Sequence, residues 1–350
     1  METLFSNTPV NTGRQVELDI AKGLAVFFMI AVHVLITLSE PEVQDSFFGL
    51  VVEFFGGIPA APVFMFLLGF GIIYSRNSSP GLLAKRGILL LALGYLMNLL
   101  RGGLPFLTKY LIDGYEPYLS EAVTEMLYVD ILQFAGLALL FFACAKKMNL
   151  GIREMIGCGL VFSVINFFIV NIKIQNEILG PTASLFWGAT DTSFFPFLTW
   201  IIYSIAGFVF GYYMIRCTNK NKLYLYGFII TLPLLIITYL IEGLAGDYNY
   251  YQHTMFINCI FVIFIVFWIS LLFFITPYIP GFCDETIRRW SKNVTGIYFI
   301  HWVIIGWLVF LLGYNSQYAL ASFILFAGVT IASDGLSFLY RKNQSPKKTI

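Results

Sequence analysis

Apolar runs of membrane length recur through this chain from residue 16 to residue 339, and they leave little choice of fold class. A hydrocarbon core about 30 Å thick takes about 20 apolar residues to cross as a helix. Lipid offers no partner to backbone N–H and C=O groups, so each run must satisfy its own by folding as helix. Hydrophobic residues make up 58% of the 350 and charged residues only 12%, unlike any soluble domain of this size. The expected fold is all-α: a polytopic transmembrane helical bundle of about ten spans, near 16–38, 58–75, 83–101, 128–145, 153–171, 197–215, 223–242, 255–276, 293–313 and 318–339. The fifth has the weakest signal, because Asn166 and Asn171 fall in it.

Loop charge orients the bundle, since cytoplasmic loops collect Lys and Arg. One set of alternate connections carries Arg14, Arg76, Lys85, Arg86, Lys146, Lys147, Arg153, Arg216, Lys220, Lys222, Arg288, Arg289, Lys292 and the basic residues from Arg341 to Lys348. The other carries only Arg101, Lys109 and Lys173, together with acidic residues such as Glu40, Asp113, Glu125 and Asp247. Both termini are therefore expected in the cytoplasm, in a multi-pass protein of the cell membrane. No linker or tandem repeat divides the chain, which reads as a single transmembrane domain over 1–350 with short cytoplasmic tails at 1–14 and 341–350. The first 14 residues are polar and the first apolar run is long enough to span, so a cleavable signal peptide is not expected. A net charge of +1 gives no footing for nucleic acid, whereas 36 Phe and 20 Tyr suit lipid contact and interfacial belts. A homo-oligomer is compatible with such a bundle. The five cysteines are scattered, with no disulfide framework and no metal motif. Two outer connections are long: 39–57 holds an amphipathic stretch suited to the membrane surface, and 102–127 is acidic and aromatic enough to cover a site.

Ionisable residues inside spans are functional candidates by default, because burying them unpaired costs several kcal/mol. The first span holds Lys22 and His33, with Asp19 one turn before the lysine. Eleven residues of helix leave the two side chains about 20° apart on one face and roughly 16 Å apart along the axis. The orientation puts Lys22 toward the inside and His33 in the outer half. An anionic cytoplasmic donor with a long thin arm meets the lysine first and the histidine at its reactive tip, and acyl coenzyme A has that form. Imidazole titrates near neutrality and suits a general base. Against this stands a simpler reading, in which Lys22 snorkels and His33 is a hydrogen-bonded packing residue.

Other candidates carry the same ambiguity. His301, in the middle of span nine, is a second site histidine or a structural residue; His253, at the start of span eight, reads as an interfacial loop residue. Lys85 and Arg86 open span three and either bind coenzyme A phosphates or simply obey the positive-inside rule. Asn98 and Arg101 close that span at the depth of His33, where they can polarise a thioester carbonyl, bind acceptor hydroxyls, or pair with Asp130 and Gln133. Asp334 in span ten is a candidate partner for Lys22. Walker, G-x-S-x-G and His-x-Glu patterns are all missing, which removes ATPase, serine hydrolase and metalloenzyme readings.

A basic residue, ten intervening residues and a histidine in the first span resembles the signature of the family-three integral-membrane acyltransferases, which acylate surface polysaccharides; Lys22 stands where arginine is usual. LDIAKGLAVFFMIAVHV (18–34), APVFMFLLGFGIIYSR (61–76), DILQFAGLALL (130–140), FFPFLTWIIYSIAGFVFG (194–211) and SKNVTGIYFIHW (291–302) are similar, in order, to blocks in the bacterial relatives of heparan-alpha-glucosaminide N-acetyltransferase. The resemblance implies an enzyme that moves an acyl group, by expectation acetyl, from cytoplasmic acyl coenzyme A to a sugar or glycan on the far side of the membrane, without a metal. By motif position His33 is then the catalytic histidine and Lys22 part of the donor site. The expected catalytic set is His33, Asn98 and His301; Lys22, Asp19, Lys85 and Arg86 are expected at the donor, and Arg101, Asp130 and Gln133 at the acceptor. Direct transfer and an acyl-histidine intermediate both remain open. A proton-coupled transporter using Lys22, His33 and Asp334 is the alternative from another class, and helix-to-helix bonding by the polar residues is a third.

Overall fold

Each apolar run folds as a helix, in a computed structural model that describes residues 3–245 and 249–344, the side chains of 241–245 and 343–344 excepted. The expected loop charges at Asp247, Lys347 and Lys348, the side chain of Glu242 and the tail segment 345–350 lie outside the described residues. In chain order the helices are α1 (Val16–Leu38), α2 (Pro41–Gln44), α3 (Phe47–Gly56), α4 (Ala61–Tyr74), α5 (Pro80–Asn98), α6 (Leu104–Asp113), α7 (Pro117–Met126) and α8 (Ile131–Lys147). There follow α9 (Ile152–Ile169), α10 (Leu179–Ser184), α11 (Phe197–Met214), α12 (Lys220–Ala245), α13 (Met255–Ile275), α14 (Gly281–Leu312) and α15 (Ala319–Gln344). No strand forms among the described residues; the only β-bridges there are isolated. Nine stretches among those residues are long and apolar enough to cross a membrane. The fourth span of the sequence reading is α8, whose 17 residues rise about 26 Å and fall just short of that length.

Three boundaries differ from the expected ones for local reasons. α14 begins at Gly281 rather than near 293, because the polar stretch GFCDETIRRWSK continues the helix, N-capped by Pro280. α15 runs through Arg341 and Lys342 to Gln344, so the helix takes in the start of the expected tail. The third span does not stop at Arg101: a π-helical turn, Leu99–Gly103, joins α5 to α6. Pro105 explains it. A proline lacks the N–H that would bond the carbonyl four residues earlier, here Arg101, and its ring crowds that carbonyl; widening the turn relieves the clash.

The chain packs as two compact units. One comprises Met1–Glu17, Pro62–Leu96 and Leu127–Pro277, the other Leu18–Ala61, Met97–Met126 and Tyr278–Ile350. In the first, α4 and α11 approach until a Cβ at Gly69 would overlap the Ser204 carbonyl and one at Gly207 the Phe66 carbonyl, the small-residue packing that apolar helices use in place of a hydrophobic driving force. Ser204 Oγ closes the crossing with a 2.8 Å bond to the Met65 carbonyl. Asn166, the polar residue that weakened the fifth span, is fully buried there: its amide donates to the His253 carbonyl at 2.9 Å and its oxygen accepts from Thr199 at 2.9 Å. In the second unit α1 is the buried element, with Ile20, Ala21, Ala25 and Val26 sealed from solvent. α15 packs on α14, and Ser322 meets Ser39 through a 2.8 Å hydroxyl contact beyond the end of α1.

Candidate active site

The second unit gathers two histidines, an arginine and a tryptophan in one place. His33 from α1 and His301 from α14 face each other with Nδ1 of the first 2.9 Å from Nε2 of the second, their rings within 5° of coplanar. His301 is wholly buried, and its Nδ1 lies 2.9 Å from the Ile297 carbonyl one turn below. His33 is half-buried, and its ring packs against Trp302 at 4.1 Å between centroids, tilted by 30°. Trp302 in turn carries the Arg101 guanidinium 4.5 Å from its ring centroid, and its indole N–H donates to the Tyr298 hydroxyl at 3.0 Å.

Arg101 reaches this place because of the π turn. Its own carbonyl, released by Pro105, lies so close to α14 that a Cβ at Gly306 would overlap it. Gly306 is one turn beyond Trp302, so the glycine that admits the turn also sets the arginine over the indole. Asn98, fully buried, donates to the Met126 carbonyl at 3.3 Å and pins the end of α7 beside the turn. The Glu125 carboxylate packs against Gly102 on that same turn. Trp302 and Glu125 are the neighbours the sequence reading did not single out. The Trp directly after a mid-span His, and the R-G-G-x-P run that forces the π turn, were the available signals.

At the other end of α1, Lys22 is half-buried and Asp19, three residues earlier, supplies the opposite charge that acts on it. Asp19 also accepts from the Ser291 hydroxyl at 3.2 Å. Asp334 does not serve Lys22 as expected. Arg289 takes it with two bonds, Nε to Oδ1 at 3.1 Å and Nη2 to Oδ2 at 2.5 Å, because that arginine projects from the helix against which α15 packs.

The model of acyltransferase family 3, described as an acyltransferase domain, matches residues 15–340. The chain belongs to acyltransferase family 3. No curated protein and no solved structure matches it significantly. As a family-three acyltransferase with several apolar helices of crossing length it is a multi-pass membrane protein. The match takes in the Lys22 to His33 spacing and ends beyond His301, so every candidate residue of this acyltransferase falls inside it.

The remaining candidates belong to the first unit. Lys85 and Arg86 are exposed near the start of α5, with Arg86 donating to the Asn77 carbonyl at 3.3 Å. Asp130 and Gln133 form a capping box on α8: Asp130 accepts from the Ile131 N–H at 2.7 Å, and Gln133 accepts from the Asp130 N–H at 3.2 Å while donating to the Tyr128 carbonyl at 3.2 Å. His253 lies in the loop just before α13, as expected of a residue at the start of span eight, but it is buried there, 2% exposed. Its Nδ1 sits 2.8 Å from the Tyr250 carbonyl, and its Nε2 lies 2.7 Å from the Tyr203 hydroxyl and 2.9 Å from the Asn258 amide. Burial lowers its pKa from the usual 6.5 to about 4, so the ring is neutral at physiological pH.

Proposed function

We propose that this acyltransferase transfers an acyl group, with acetyl as the working case, from acyl coenzyme A to a hydroxyl or amine of a carbohydrate. The observation that carries the reading is the half-buried His33, bonded to His301 on one side and packed against the tryptophan that holds Arg101. An imidazole nitrogen of His33 takes the proton of the acceptor as its oxygen or nitrogen attacks the thioester carbonyl carbon. The C–S bond breaks as the tetrahedral intermediate collapses, and the coenzyme A thiolate leaves and recovers the proton from the imidazolium. Arg101, 7% exposed, offers a fixed cation for the oxyanion in surroundings where such a charge is worth far more than in water.

Lys22 supports the donor half of the proposal. It stands on the His33 face of α1, roughly 16 Å away along the axis, a length suited to the arm between the phosphates and thioester of coenzyme A. In this reading the donor enters from the cytoplasm and the acceptor lies beyond the opposite face of the cell membrane, as the loop charges argue.

Purified protein given radiolabelled acetyl coenzyme A and a panel of hexoses and amino sugars tests the proposal. Label is expected to reach a sugar with the wild type and not with His33→Ala. Failure to bind acetyl coenzyme A, or undiminished transfer in His33→Ala, would overturn it.

A further inference from the structure

Counting protons along the histidine pair assigns separate tasks to the two rings. The Ile297 oxygen 2.9 Å from His301 Nδ1 is a carbonyl and has no proton to give, so His301 Nδ1 carries one and donates it. A single proton then lies between His301 Nε2 and His33 Nδ1, which are 2.9 Å apart. If it belonged to His301, that ring would be a cation with both nitrogens protonated, fully buried, beside a second ring whose tryptophan neighbour already holds the Arg101 guanidinium. Burying such a charge near another of the same sign costs several kcal/mol. The proton therefore belongs to His33, and both rings are neutral.

We infer that His301 is a positioning residue: its bare Nε2 holds His33 in the Nδ1–H tautomer, so that Nε2 of His33 presents the lone pair that receives the acceptor's proton. The inference rests on the proposed acyl transfer for its chemistry, though the tautomer can be read without it. Three features of the geometry support it. In water a histidine side chain prefers its proton on Nε2, so the Nδ1–H form has to be held by an acceptor. Near-coplanar rings put that acceptor in line with the N–H, and the Trp302 ring 4.1 Å away restricts the imidazole's rotation. Only His33 keeps any exposure, so only its ring can reach a substrate. When Nε2 takes the proton, the imidazolium charge strengthens the Nδ1–H bond to His301, which favours the charged state formed during attack.

The chain has three histidines, so a spectrum of protein labelled with nitrogen-15 at histidine is assigned by comparing the wild type with His33→Ala and His253→Gln. Wild-type His33 is expected to show a protonated Nδ1 and a bare Nε2. His301→Leu, which removes the acceptor, is expected to move the His33 proton to Nε2 and to lower kcat for acetyl transfer by about 100-fold with KM for acetyl coenzyme A unchanged. His301→Gln, whose amide oxygen can accept the same N–H, is expected to keep the wild-type tautomer and to recover most of that loss. A wild-type His33 protonated at Nε2 would overturn the inference, and that measurement needs no variant to fold. So would a folded His301→Leu that retains both tautomer and kcat. Undiminished transfer in His33→Ala would instead overturn the acyl-transfer reading, and the nitrogen spectrum would still report the tautomer.

Discussion

The Arg101 guanidinium lies 4.5 Å from the centre of the Trp302 ring, on the residue next in sequence to His301. A flat, permanently charged group suits that seat better than an ammonium, which is compact and more strongly hydrated. Arg101→Ala is therefore expected to lower kcat for acetyl transfer by about 100-fold, in the range seen when one oxyanion donor is removed. Arg101→Lys should recover little of it, with donor affinity unchanged in both. Full activity in Arg101→Lys would mean that charge alone suffices and that the stack is incidental.

Gly306 makes the same seat possible from the opposite helix. Gly306→Ala forces a methyl group into the Arg101 carbonyl, so the π turn or α14 has to shift. Overpacking of this kind costs about 1–3 kcal/mol. The substitution should lower both thermal stability and kcat, while Gly328→Ala, where a Cβ meets open space, should change neither. Equal behaviour of the two variants in a thermal-shift and turnover comparison would remove the glycine from the account.

Much of this was legible in the sequence, and the gaps have physical causes. Continuous apolar runs predict helices wherever the lipid demands them, and the helices appear near the expected positions. The ends shifted where polar residues carried a helix onward, as at α14, or where Pro105 widened one, because hydropathy reports burial and not hydrogen bonding. His33, Lys22, His301 and Arg101 stood out because charge and imidazole are rare in such segments. Their grouping did not. Spacing along α1 relates Lys22 to His33, but nothing in a linear pattern says that α14 lies beside α1 and brings His301 to His33 and Ser291 to Asp19. The same blindness gave Asp334 the wrong partner and hid the burial of His253.

Lys22 has a donor role to gain or lose. If its ammonium meets a phosphate of coenzyme A, Lys22→Gln should raise KM for acetyl coenzyme A by about 10-fold or more, the worth of one charged hydrogen bond, and leave kcat nearly unchanged. Lys22→Arg should keep the wild-type KM, since arginine also binds phosphate. A lysine that only snorkels would give the same KM in all three proteins, and steady-state kinetics at fixed salt tells the cases apart.

Asp130 separates a structural from a substrate role by the same kind of measurement. Its carboxylate caps α8, so Asp130→Ala should cost about 1 kcal/mol of stability and Asp130→Asn much less, because asparagine caps nearly as well. A rise in the acceptor's KM in Asp130→Asn, with stability intact, would restore it to the acceptor site.

His253 should make the first unit sensitive to acid. Burial holds its pKa at about 4, against 6.5 when the ring is free in the unfolded chain. Between those values the unfolded state binds a proton that the folded state refuses, so unfolding is favoured as pH falls. The stabilisation is complete above pH 6.5, declines as the pH drops toward 4 and is spent below it, a total of about 3 kcal/mol for a gap of this size. His253→Gln has no group that titrates in this window. Thermal unfolding in detergent from pH 7.5 to 4 should therefore show a fall in the wild type that the glutamine variant lacks. Parallel curves for the two proteins would show that some other group, and not this buried ring, sets the acid limit.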